Sequence, residues 1–145
     1  MQLFGMRLES VASPFTYEAE TDGVVVRVRP VFIEEESSPE DERFLWAYHV
    51  EIRNNGERTL QLMTRHWKIT DGDGRLQEVV GEGVVGQQPI LRPGGSFEYT
   101  SGCPLATPSG LMRGTYTLHD REGDSLVVAI PLFALDSPYE TRRLN

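Results

Sequence analysis

The sequence predicts an all-β sandwich of seven to eight antiparallel strands, on three observations. Apolar and polar residues alternate with a period of two in several separate runs. Clusters of Gly, Asn and Asp separate those runs, and no segment long enough for a helix carries a capped 3.6-residue period.

Taken in chain order, residues 1 to 22 lack clear alternation and end in Thr21-Asp22-Gly23, so they read as an ancillary N-terminal arm. Val24, Val26 and Val28 alternate with Val25, Arg27 and Arg29, until Pro30 marks a bulge or an edge position. Six acids between Glu34 and Glu42 repel one another and favour a solvated loop. Phe44, Trp46, Tyr48, Val50 and Ile52 share one parity, the pattern of a half-buried strand, which Asn54-Asn55-Gly56 closes. Apolar parity then breaks between Leu60, Leu62 and the odd-numbered Met63, Arg65, Trp67, Ile69, which predicts a bulge near Met63. Asp71-Gly72-Asp73-Gly74 joins that strand to Leu76-Gln77-Glu78-Val79 as a hairpin. Phe97 and Tyr99 run into a turn at Gly102, and Arg121-Glu122-Gly123-Asp124 links the strand of Tyr116 and Leu118 to that of Leu126, Val128 and Ile130. The domain proper spans 23 to 135, and residues 136 to 145 read as a flexible polar tail. With a single cysteine the immunoglobulin disulfide is excluded, so the core rests on Trp46, Tyr48, Phe97, Tyr116 and the valines.

Composition narrows function by exclusion. A chain of 145 residues fits one domain, burying roughly two-thirds of its unfolded surface without staples. A formal charge of −8 argues against nucleic acid, whose binders need a basic patch to release counterions. Cys103 is alone, which excludes an internal disulfide and a multi-cysteine zinc site and fits a reducing interior. No apolar run approaches the ~20 residues of a membrane helix, so a cytoplasmic protein with no membrane partner is expected.

Gly81, Gly83 and Gly86 spell G-x-G-x-x-G, but a dinucleotide site needs a helix directly after the glycines. Here Gln87-Gln88-Pro89 and Pro93-Gly94-Gly95 follow, which cannot extend one. A nest of backbone N–H groups could hold an anion there, against which stand Glu82 at its centre and the absence of Lys. Asp71, Asp73 and Glu82 match positions of a calcium loop, yet Arg75 and Leu76 stand where a ligand and a Gly are needed. Neither Ser101-Gly102 nor Ser109-Gly110 forms a nucleophile elbow, and His66 has no second His or Cys nearby in sequence.

Several segments together resemble the ApaG family: Ser37-Ser38-Pro39 before Phe44-Leu45-Trp46-Ala47-Tyr48, Arg65-His66-Trp67-Lys68-Ile69-Thr70-Asp71, and the run from Gly81 to Pro89. Pro93 to Gly102, Thr107 to Gly114 and Ile130-Pro131-Leu132-Phe133 extend the likeness over residues 23 to 135. That resemblance implies an immunoglobulin or fibronectin type III-like sandwich, a link of bacterial members to cobalt and magnesium resistance, and a binding-module role. The expectation is a non-enzymatic protein-interaction module without catalytic residues, metal or cofactor, binding an unidentified protein as a monomer or weak homodimer. Arg65, His66, Gly81, Glu82, Gly83, Gly86 and Gln87 are its candidate contact residues. The alternative is a small-ligand or anion sensor, for pyrophosphate, nucleotide or metal, built on the Gly81–Gly86 loop. An enzyme of phosphate chemistry ranks third, because no Ser/His/Asp or metal constellation is present.

Overall fold

A computed structural model describes residues 16–140, which form nine strands and two short 3-10 turns. The strands are β1 (Tyr17–Thr21), β2 (Val24–Phe32), β3 (Phe44–Asn54), β4 (Leu60–Asp71), β5 (Leu76–Glu82), β6 (Ile90–Leu91), β7 (Ser96–Leu105), β8 (Gly110–Asp120) and β9 (Ser125–Leu135). They pair antiparallel into a four-stranded sheet, β1-β2-β3-β7, and a five-stranded sheet, β5-β4-β8-β9, with β6 also against β4.

Local chemistry sets the connections. Asp22 and Gly23 both take positive φ, 46° and 86°, the geometry a two-residue hairpin between β1 and β2 demands. One device then recurs in two other hairpins. Asp71 Oδ1 accepts the amides of Asp73 and Arg75 at 2.9 and 3.0 Å, and Asp120 Oδ1 accepts those of Glu122 and Asp124 at 2.9 and 3.0 Å. Buried Asn54 ends β3 by donating from Nδ2 to the carbonyls of Arg58 and Leu91, while its Oδ1 accepts the Gly56 amide. The bulge expected near Met63 is present as a register shift between Leu62 and Thr64.

Between the sheets, Trp67 of β4 is the hub of an aromatic cluster. Its ring lies edge-on to Tyr48 at 5.2 Å, to Phe133 at 6.0 Å and to Tyr116 at 6.4 Å between centroids. Trp46 is buried beside Phe32, and its Nε1 donates to the carbonyl of Asp136 at 2.7 Å. The two sides of the sandwich differ. Along one, β9 packs against β1 and β2, and the Ala129 amide donates to Thr21 Oγ1. Along the other, the edge strands β5 and β7 leave two cavities between them.

Four details correct the sequence reading. The strands number nine among the described residues, because β1 and the two-residue β6 join the sheets. The arm placed at 1–22 contains β1, which pairs with β2 from Tyr17↔Val28 to Thr21↔Val24; its first fifteen residues lie outside the described residues. The tail placed at 136–145 starts as packed structure: Ser137 Oγ donates to the Pro108 carbonyl, the Tyr139 ring lies between Phe32 and Phe44, and the Tyr139 hydroxyl bonds Glu34. Residues 141–145 lie outside the described residues. Phe97 is only partly buried, and Tyr99, two residues on, takes the core position. The edge position allowed for Pro30 is met, since β1 ends opposite Val28 and Pro30 is paired with Tyr48 of β3.

A chain ending at Leu135 leaves the buried Trp46 indole N–H without its acceptor and strips Tyr139 from two aromatic rings. It should lose about 1–3 kcal/mol or more in urea denaturation, against about 3–5 kcal/mol for Trp46→Ala. An unchanged midpoint after truncation would show that the 136–140 segment does not pack.

Candidate functional site

Strand alternation beyond the bulge turns Arg65, Trp67 and Ile69 toward the space between the sheets. A guanidinium is thereby carried to the open side. Arg65 lies opposite Gly81 in the β4–β5 register, and its Nη1 donates to the carbonyls of Glu82 and Gly83, each at 2.9 Å. A Cβ on Gly81 would meet Nη1 and Nη2 at 2.8 Å, so the first glycine of the motif is the space the guanidinium occupies. At Gly83, φ is 64° and a Cβ would stand 2.3 Å from the Gln87 carbonyl oxygen, whereas Gly86, at φ 79°, faces open space.

Three amides of the loop are committed to the protein. Gly83 N donates to Met63 O, Val84 N to Gln87 O and Gln87 N to Val84 O, all within 2.9 Å. An anion nest would need such groups free. Val85 sits at φ 44°, an outlier for a β-branched residue, and lines the cleft below.

Two cavities of about 200 and 240 Å³ meet at Arg65, sharing Tyr48, Trp67 and Ser101 as lining. Tyr48 is hydrogen-bonded with Ser101, and the hydroxyls of Tyr99 and Tyr116 bond to each other. Burial raises all three tyrosines above the ordinary value of 10.0, with the neighbouring Tyr116 adding to the shift at Tyr99. Burial likewise pushes the Cys103 thiol up to about 12, which leaves it protonated and non-nucleophilic near neutrality.

The structure therefore divides the residues the sequence grouped. Arg65 and Gly81 belong to the cleft, and Gly83, Gly86 and Gln87 to the loop that walls it. His66 and the Glu82 side chain belong, by alternation, to the outer face of the five-stranded sheet. There His66 Nε2 bonds Glu78 at 2.7 Å and holds that carboxyl below its usual range. The calcium reading fails on geometry, since Arg75 bonds both Asp71 and Asp73. Asp120, Glu122 and Asp124 bring carboxylates within 4.8 Å of one another, but this is the hairpin cap described above, with Arg58 on Asp120.

Tyr48, Ser101 and Val85 were not among the sequence candidates, and neither were the apolar residues of the outer face. Seven large apolar side chains are exposed among the described residues, and six of them, Leu76, Val80, Ile90, Leu111, Val127 and Leu132, lie on the outer face of the five-stranded sheet. Val80 is 71% exposed. Lys68 and Arg113 stand side by side among them, over a shallow depression also lined by His66, Thr115 and Leu132. The signal for this face was apolar residues at both parities of β5, β8 and β9. The opposite sheet's outer face carries the ion pairs Arg27–Glu18, Arg27–Glu51 and Arg53–Glu51 and a His49–Glu98 hydrogen bond.

The family profile for the ApaG domain matches residues 34–120, from the acidic loop to the end of β8. The chain belongs to the ApaG family. It is 56% identical over 129 residues to Protein ApaG of Paramagnetospirillum magneticum, covering 89% of this chain and 99% of that protein. Protein ApaG of Methylobacterium sp. strain 4-46 is 59% identical over the same coverage. Among solved structures, the Bordetella pertussis protein designated ApaA superposes with a TM-score of 0.77 at 46% identity, over 88% of this chain and all of that one. The matched residues hold β3 to β8 and the glycine loop between β5 and β6.

Two outcomes follow for this ApaG domain. Gly83→Ala should cost clearly more than Gly86→Ala, for which about 1–2 kcal/mol of left-handed strain is expected; equal losses in urea melts would contradict the loop geometry. Tyr99 and Tyr116 have raised folded values, so their stabilisation is complete below about pH 10 and is lost as pH climbs above it. In an absorbance titration at alkaline pH these tyrosines should ionise only together with unfolding; early reversible ionisation of all the tyrosines would contradict their burial.

Proposed function

We propose that this ApaG domain is a non-enzymatic module that binds a protein partner through the outer face of its five-stranded sheet. The observation that carries this reading is the gathering of six of the seven exposed large apolar side chains on that one face. Exposed apolar side chains gathered on one face of a sheet mark an interaction site. Lys68 and Arg113 at its centre suit a partner surface that combines apolar side chains with carboxylates. In a chain of net charge −8, such a cationic centre also disfavours self-repulsion at the contact.

The sensor reading through a Gly81–Gly86 nest is less favoured, because the Gly83, Val84 and Gln87 amides already donate to Met63, Gln87 and Val84. A cytoplasmic setting, absence of catalysis and a cobalt or magnesium phenotype acting through the partner belong to the same proposal. No helix among the described residues is long and apolar enough to cross a membrane.

Photo-crosslinking in the native host tests it, with the reactive residue placed at Val80, at Leu132, or at Glu51 on the ion-paired face. Discrete protein adducts from positions 80 and 132, absent from 51, are expected. Adducts of equal yield from all three, or from 51 alone, would contradict the proposed face.

A further inference from the structure

We propose that the open side between β5 and β7 is a binding site for a carboxylate carried on a small apolar body, with Arg65 as its anchor. This is separate from the protein-binding face, which lies on the outside of the same sheet. The first observation is an uncompensated cation. Among the described residues no carboxylate lies within 4.0 Å of the Arg65 guanidinium, which points between the sheets and is only partly exposed. Neutral carbonyls of Glu82 and Gly83 occupy Nη1 alone. A guanidinium has five N–H donors, so among the described residues three are left on Nε and Nη2, the edge that takes a carboxylate in two parallel bonds.

The second observation is space of matching chemistry. The cavities of about 200 and 240 Å³ on either side of Arg65 are lined by Tyr48, Trp67 and Ser101 in common. Val84, Val85 and Tyr99 add to one, and Ile69, Val79 and Met112 to the other. Each is smaller than the roughly 300–1,000 Å³ of sites for drug-sized ligands, so the occupant is small. Aromatic and aliphatic walls favour an apolar body, and the Tyr48 and Ser101 hydroxyls add polar groups at its charged end. Glu82 also lines the first cavity; it contributes its carbonyl to Arg65, and strand alternation turns its side chain to the outer face. The third observation is the cost the fold bears there: a glycine kept at position 81 to admit the guanidinium, and Val85 held at φ 44° on the rim.

The probes are benzoate, benzyl alcohol, inorganic phosphate, and two short peptides ending in phenylalanine, one with a free carboxylate and one amidated. They are titrated into the full chain while the Arg65 Nε–Hε signal and the Tyr48, Val85 and Ser101 amides are followed by NMR. Benzoate should give saturable shifts at these positions below about 10 mM, and benzyl alcohol none. Arg65→Lys, which keeps charge but loses the paired bonds, should weaken benzoate at least about tenfold while near-ultraviolet circular dichroism stays native. Shifts with the free-acid peptide but not the amide identify a protein tail as the source of the carboxylate, and shifts with benzoate alone identify a free small acid; both support the site. Absence of saturation by benzoate and by both peptides would overturn the proposal. So would equal binding of phosphate or benzyl alcohol, undiminished binding to a native Arg65→Lys variant, or shifts confined to the outer sheet face. Since none of these arms involves Val80 or Leu132, failure here leaves the crosslinking result for the protein-binding face independent.

Discussion

The structure depends on a period-two constraint in a single strand. Trp67 must enter the core to join Tyr48, Tyr116 and Phe133, and whatever stands two residues earlier on β4 must face the same way. That residue is Arg65. The bulge at Met63 selects this parity, because without the extra residue the inward set of Leu60 and Leu62 would continue through the even positions and put His66 and Lys68 inside. A cation so placed is only partly exposed, and the adjoining segment supplies acceptors for one of its nitrogens. Gly81 leaves room, and the carbonyls of Glu82 and Gly83 accept from Nη1.

On this account the glycine motif and the arginine are one feature. The spacing of Gly81, Gly83 and Gly86 imitates a phosphate loop, but each glycine answers a local demand: passage of the guanidinium, avoidance of the Gln87 carbonyl and a left-handed turn. The loop then closes on itself through Val84 and Gln87 and hangs from Met63. The Gly83, Val84 and Gln87 amides are therefore structural donors. What remains chemically unspent at this side is the arginine edge and the aromatic cavities beside it, while the outer face of the same sheet keeps its exposed apolar residues.

Much of the fold was legible in the sequence because alternation and turn chemistry are local. The hairpins at Asp71–Gly74 and Arg121–Asp124, the bulge near Met63 and the burial of Trp46 and Tyr48 all follow from neighbours in the chain. What escaped depends on distant partners. β1 alternates Tyr17, Ala19 and Thr21 with Glu18 and Glu20 over only five residues, a run too short to mark a strand until its pairing with β2 is known, and Asp136 to Tyr139 are ordered by Trp46, Phe32 and Phe44. The candidate site was legible only in part for the same reason. Arg65, His66 and the glycines were near one another in sequence, but which side of a sheet each serves is decided by pairing. Tyr48, Tyr99 and Ser101 come to the cleft from the other sheet, and no local signal announces them.

The central claim is that Arg65 is held inside the open edge by the Glu82 and Gly83 carbonyls. Low-temperature NMR of the Arg65 side chain tests it most directly. The account predicts resolved Nη proton signals, slowed in rotation and in exchange with water, with nuclear Overhauser contacts to the Gly81 α-protons. A single averaged Nη signal exchanging freely with water, without contact to Gly81, would contradict it.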